Sequence, residues 1–251
     1  MTRRLPPWPY PKLAAHRGAG KLAPENTLAS LRLGASRGYR MAEIDAKLSA
    51  DGVAFLLHDE TLQRTTSGRG RADALPWREL ALLDAGSWHS KQYAGEPLPS
   101  LAAVAAFCRA QGVALNIEIK PMPGRERETG AAVALDAQAL WSGAKVAPLL
   151  SSFSEVSLDA AREAAPELPR AYLAERLPKD WEARVSKAGC IAVDLDQRLI
   201  TRARVDEFHA AGLRVLAWTV NDAARADRLL EWGVDTVITD AIDVIAPAGV
   251  R

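Results

Sequence analysis

The chain has 251 residues, 48% hydrophobic and 25% charged, with 32 Lys plus Arg against 31 Asp plus Glu. That composition is ordinary for a globular protein with a large core, and the near-neutral balance excludes the basic surplus of a nucleic-acid partner. No apolar run reaches membrane length, and the two cysteines, Cys108 and Cys190, read as buried reduced thiols rather than a disulfide framework.

Residues 1–11 are proline-rich and carry Trp8 and Tyr10. Such a segment is neither helix nor central strand and is expected to strap across the base of the domain. It has no hydrophobic signal core, so the protein is read as cytoplasmic, mature as written and without a membrane partner. Lys12–Ala15 is a short apolar run ending at His16-Arg17-Gly18, a strand that delivers a polar tip to a loop. Pro24-Glu25-Asn26-Thr27 opens a helix running to about Arg37, with Asn26 or Thr27 as its N-cap and Gly38 as its stop.

Residues 41–59 read as two extended runs around an Asp51-Gly52 turn. Residues two apart in a strand share a face, so Glu43 and Asp45 point the same way. With the hairpin centred between Ala50 and Asp51, Glu43 lies opposite His58. Carboxylates this close repel, and a divalent cation is the usual way to hold both ionised. A surface hairpin with its polar face in water is the plainer alternative. Residues 60–99 are polar and turn-rich, too long for a simple connection, and suit a lid or inserted subdomain. Trp77, Trp88 and Tyr93 argue against a disordered linker there.

From Ser100 a regular alternation sets in. Helices are expected at 100–110, 129–141, 155–165, 178–187, 201–211 and 223–232. Strands are expected at 112–120, 146–150, 170–173, 190–195, 213–219 and 236–239. In the first of these strands Asn116, Glu118 and Lys120 share one face. The pattern predicts repeated βαβ units and an eight-stranded TIM (β/α)8 barrel, with one arm of the early hairpin surplus. A doubly wound open sheet is the alternative, but His16-Arg17-Gly18-Ala19-Gly20 is a weak match to a nucleotide loop.

In a barrel, His16, Arg17, Glu43, Asp45, His58, Glu118 and Lys120 converge on one mouth. Oxygen ligands from Glu43, Asp45 and Glu118 suit Mg²⁺ or Ca²⁺ better than zinc. Arg17 and Lys120 add fixed charge for a phosphate ester. Two histidines can divide the work of P–O cleavage, one taking a proton from the attacker and one giving a proton to the leaving alkoxide. Glu118 and Lys120 also admit a duller reading, a strand-face ion pair of little consequence.

The residues Ala15-His16-Arg17-Gly18, Pro24-Glu25-Asn26-Thr27, Glu43-Ile44-Asp45, His58-Asp59, Arg64-Thr65-Thr66, Asn116-Ile117-Glu118-Ile119-Lys120, Ala217-Trp218-Thr219-Val220-Asn221 and Ile238-Thr239-Asp240 stand in an order that resembles the glycerophosphodiester phosphodiesterases, from about Leu13 to Asp240. The chain is most similar to the short bacterial cytoplasmic members. Pro99-Ser100-Leu101 departs from the usual threonine in the middle, and the proline-rich start is a second departure. The resemblance implies one TIM-barrel domain over 1–251 with a cap insertion at about 59–99. It implies metal-dependent hydrolysis of glycerophosphodiesters to sn-glycerol 3-phosphate and an alcohol, through a cyclic phosphate. His16 and His58 would be the acid/base pair; Glu43, Asp45 and Glu118 would hold one Mg²⁺ or Ca²⁺; Arg17 and Lys120 would hold the phosphate; Trp218 would pack on the glycerol. A related lipid-cleaving lyase of the same superfamily and a silent phosphate-ester-binding barrel are the rival readings.

Overall fold

The computed structural model describes residues 4–247. Eight parallel strands close into a barrel: β1 (Leu13–Ala15), β2 (Met41–Leu48), β4 (Ala114–Ile119), β5 (Leu149–Ser152), β6 (Arg170–Ala174), β7 (Ala192–Asp196), β8 (Arg214–Trp218) and β9 (Thr236–Thr239). The ring shuts where Ala15 of β1 pairs with Ala42 of β2 on one side and with Thr239 of β9 on the other. The ninth strand, β3 (Ala54–Leu56), runs antiparallel to the far half of β2 and is the surplus arm of the hairpin.

That hairpin corrects one expectation. Ala46 pairs with Leu56 and Leu48 with Ala54, a register one residue away from the one that sets Glu43 opposite His58. The chain turns through three residues rather than two, because the Ser49 amide closes onto the Val53 carbonyl and Gly52 adopts φ 81. His58 still reaches the same cavity as Glu43, from the loop after β3.

Helices α1 (Leu28–Ser36), α3 (Leu101–Gln111), α4 (Glu126–Leu140), α5 (Glu155–Ala164), α6 (Trp181–Lys187), α7 (Arg202–Ala210) and α8 (Ala223–Glu231) surround the strands, with a single-turn helix α2 (Trp77–Leu80) after the hairpin. Thr27 caps α1 by accepting from the Ser30 amide, and Ser100 caps α3 by accepting from the Ala103 amide. Helix α3 shows why such segments are helical. Leu101, Val104, Ala105 and Cys108 recur at the spacing of one helical face and are buried against the barrel. Burying each large apolar side chain there is worth about 1.5–3 kcal/mol. The strand expected at 146–150 begins only at Leu149.

The barrel's lower interior is filled by Ala14, Met41, Leu149, Ala171, Ala192, Leu216 and Ile238. Tyr10 plugs the bottom and donates its hydroxyl to the Ala147 carbonyl, while Trp8 donates to Thr236 Oγ1. Within the described residues, the segment 4–11 therefore straps across the base. Between β3 and α3 the chain folds over a small core of Phe55, Leu57, Leu62, Leu80 and Leu98. Cys108 and Cys190 are buried free thiols. Among the described residues, no helix is long and apolar enough to cross a membrane.

Candidate active site

The inward faces of β2 and β4 deliver three carboxylates to one point. Asp45 is the register partner of Glu118, and Glu43 is two residues earlier on the same face as Asp45. One oxygen from each of Glu43, Asp45 and Glu118 lies within 4.8 Å of the others, and all three side chains are buried. Burial, then the charge of Asp45, pushes Glu43 up to about 8 and Glu118 up to about 7. Asp45 goes the other way. Burial alone would raise it, but Lys120, Arg17, His58 and the Asn26 amide hold it well below the usual carboxylate range. Asn26 clamps it twice, donating to Oδ2 at 2.7 Å and accepting from the Asp45 amide at 3.0 Å. Three hard oxygen donors, two of which hold protons when no metal ion is near, fit one hard divalent cation.

Two imidazoles flank this cluster, each tied through Nδ1 to a carboxylate. His16 Nδ1 lies 2.6 Å from Asp240 Oδ1, and His58 Nδ1 lies 2.7 Å from Asp59 Oδ1. These partners assign the Nδ1–H tautomer and leave each Nε2 facing the cavity. The two rings differ in charge preference. Burial would lower His16, but the Asp240 hydrogen bond and the Glu43 carboxylate raise it overall. His58 is lowered: burial, with Arg17 and Lys120, outweighs Asp45 and Asp59.

Two cations line the same cavity. Lys120 Nζ lies 3.4 Å from Asp45 and 3.2 Å from Glu118. Arg17 takes the left-handed φ of 50, an unusual backbone for a side-chain-bearing residue, and so turns its amide onto Glu43 Oε2 at 3.2 Å. Its Nη1 donates to Glu25, while its buried Nε has no hydrogen-bond partner. Gly20 lets this loop lie against the Asp240 backbone, where a Cβ would come within 2.0 Å.

His16, Arg17, Glu43, His58, Glu118, Lys120 and Trp218 line one cavity of about 350 Å³, with Asp45 just behind them. Trp218 forms its wall, edge-to-face with Phe153 at 5.6 Å between ring centroids. All eight residues singled out from the sequence are thus brought together. Sequence reasoning missed the groups that orient them: Asp240 on His16, Asp59 on His58, Asn26 on Asp45 and Glu25 on Arg17. All four stood within recognised motifs, but no spacing pairs each with its partner, least of all Asp240 with His16 across 224 residues.

The chain matches the model of the "Glycerophosphoryl diester phosphodiesterase family" over residues 16–244. It is 30% identical to a glycerophosphodiester phosphodiesterase of Caldanaerobacter subterraneus, over 90% of this chain and 92% of that one. It is likewise 30% identical to a glycerophosphodiester phosphodiesterase of Bacillus subtilis, over 92% of this chain and 83% of the relative. Among solved structures, a phosphodiesterase from Oleispira antarctica in complex with the product sn-glycerol-3-phosphate superposes with a TM-score of 0.88 at 37% identity, covering 94% of this chain and 95% of the other. This chain belongs to the glycerophosphoryl diester phosphodiesterase family.

Proposed function

We propose that this protein hydrolyses glycerophosphodiesters to sn-glycerol 3-phosphate and a free alcohol, as one barrel domain whose segment at about 59–99 caps the mouth. The observation that carries the reading is three buried carboxylates within 4.8 Å of one another, flanked by two imidazoles that each lean on an aspartate. The family match and the printed activities of the relatives support it.

Glu43, Asp45 and Glu118 would hold one Mg²⁺ or Ca²⁺ ion, which when bound neutralises charge on the phosphoryl oxygens. Arg17 and Lys120, both drawn to Asp45, hold the phosphate from the sides. His58, the ring biased toward neutrality, takes the proton from the glycerol C2 hydroxyl as that oxygen attacks phosphorus. His16, the ring biased toward the cation, gives its proton to the departing alkoxide. A P–O bond to the alcohol breaks, and a bond to the C2 oxygen forms a cyclic phosphate. Water then opens the ring: His16 takes its proton, and His58 returns one to the C2 oxygen. Trp218 packs on the glycerol carbons. A cytoplasmic location belongs to the same proposal, and cell fractionation tests it.

Protein stripped with EDTA and resupplied with Mg²⁺ or Ca²⁺ should release glycerol 3-phosphate from glycerophosphocholine or glycerophosphoethanolamine only when the ion is present. Full turnover by both His16→Ala and His58→Ala would overturn the mechanism. A cyclic phosphate that accumulates by phosphorus NMR would favour the lyase reading instead.

A further inference from the structure

The cavity does not stop at the carboxylates. Asn116 lies two residues before Glu118 on β4, Ser151 is the register partner of Glu118 on β5, and Asp194 faces them from β7. All three line the cavity, at 0%, 0% and 1% exposure. Asn116 Nδ2 donates to Asp194 Oδ2 at 3.0 Å. That single bond leaves three fully buried atoms without a partner: Asn116 Oδ1, Ser151 Oγ and Asp194 Oδ1. Buried polar atoms are almost always hydrogen-bonded, so three orphans converging on one cavity mark a place built for a polar guest.

The chemistry of that guest follows from the surroundings. The fixed cations, Arg17 and Lys120, sit at the carboxylate level and not at the floor. Burial, with the nearby charge of Glu118, pushes Asp194 up to about 8, which favours the uncharged carboxyl that can donate. Asn116 Oδ1 accepts, and the Ser151 hydroxyl does either. Leu173, Ile238 and Trp218 supply apolar walls. The floor therefore suits a neutral hydroxyl on a short carbon chain and not a phosphate.

We propose that Asn116, Ser151 and Asp194 form a subsite for the terminal hydroxyl of the substrate's glycerol arm. This rests on the proposed reaction. The C2 hydroxyl must stay beside phosphorus within reach of the imidazoles, so the group that reaches past Glu118 to Asn116, two residues earlier on β4, is the one a carbon further along. The three residues touch the non-reacting end of the substrate and set which alcohol backbone is accepted.

The test compares two diesters with the same choline leaving group. One is glycerophosphocholine. The other is the phosphocholine diester of propane-1,2-diol, which keeps the attacking C2 hydroxyl and lacks the terminal one. The wild type should favour the glycerol substrate at least about tenfold in kcat/KM, since a site that hydrogen-bonds a hydroxyl rejects the analogue lacking it. Asp194→Leu and the smaller change Ser151→Ala should each cut that preference severalfold. A preference unaltered in Ser151→Ala and in any folded Asp194 variant overturns the subsite, as does a wild type that accepts both diesters equally. Those results would make the floor a water-holding layer. A wild type that cleaves neither diester overturns the proposed reaction, and the subsite with it.

Discussion

Arg64 grips Asp59 through two parallel contacts, Nε to Oδ2 at 2.5 Å and Nη2 to Oδ1 at 2.9 Å. The other edge of the same guanidinium holds both oxygens of Glu25 at 2.8 Å. Glu25 in turn receives Arg17 Nη1 at 2.7 Å, and Asp59 carries His58 Nδ1. One planar cation from the segment between β3 and α3 thus links, through Asp59 and Glu25, the His58 imidazole to the Arg17 guanidinium.

Replacing Arg64 by Met should therefore act on His58 at a distance. Without the guanidinium, the full charge of Asp59 falls on the ring and raises its pKa, so the acidic limb of the kcat/KM profile should move to higher pH. Activity at neutral pH should fall about tenfold, in the range for losing an orienting partner. Arg64→Lys keeps the charge but not the paired geometry and should restore only part of it. A pH profile identical to the wild type in the Met variant would show that Asp59 needs no such support.

The barrel and the reacting groups were legible because both have short-range signatures. Alternating helices and strands, with Glu43 and Asp45 sharing one face and Asn116, Glu118 and Lys120 another, follow from periodicity. The hairpin register was not, since it turned on whether the loop held two residues or three. The supports were least legible. Asp240, Arg64 and Asp194 make contacts that only the closed barrel and the folded segment between β3 and α3 create, and Asp194 carries no motif at all.

The charge difference between the two histidines predicts a dependence on the leaving group. In the proposed reaction His16, raised by Asp240 and Glu43 against its burial, would be the acid of the first step. An acid matters when the departing oxygen is strongly basic and little when it is not. His16→Ala should lose about a thousandfold on glycerophosphocholine, in the usual range for a general acid. On a glycerophospho-p-nitrophenol diester, whose leaving group departs unaided, the same variant should lose far less. Equal losses on both substrates would take the acid's role away from His16.

Ion binding should release protons. Without a cation, Glu43 sits at about 8 and Glu118 at about 7, so at pH 6.5 both carry protons that a bound ion displaces. Affinity for Mg²⁺ or Ca²⁺ should therefore rise with pH up to about 8 and level off above it. Calorimetric titration at pH 6.5 in two buffers of different ionisation enthalpy reads the protons directly. A release of more than one proton per ion is the expected result; identical heats in both buffers would mean the cluster is already ionised.

Asp194 predicts a stability effect of opposite sign to that of most carboxylates. Its folded pKa, about 8, lies above the unfolded value of about 3.9. Between those limits the folded state holds a proton that the unfolded state has lost, so its contribution to stability is greatest at low pH. That contribution drains away as pH rises, by at most about 1.4 kcal/mol per pH unit. Asp194→Asn keeps the shape and removes the titration. Urea unfolding at pH 5, 6.5 and 8 should show the variant gaining on the wild type at each step upward. Curves that stay parallel across that range would mean Asp194 is ionised in the folded protein, and the cavity floor would then be a charged site rather than a neutral one.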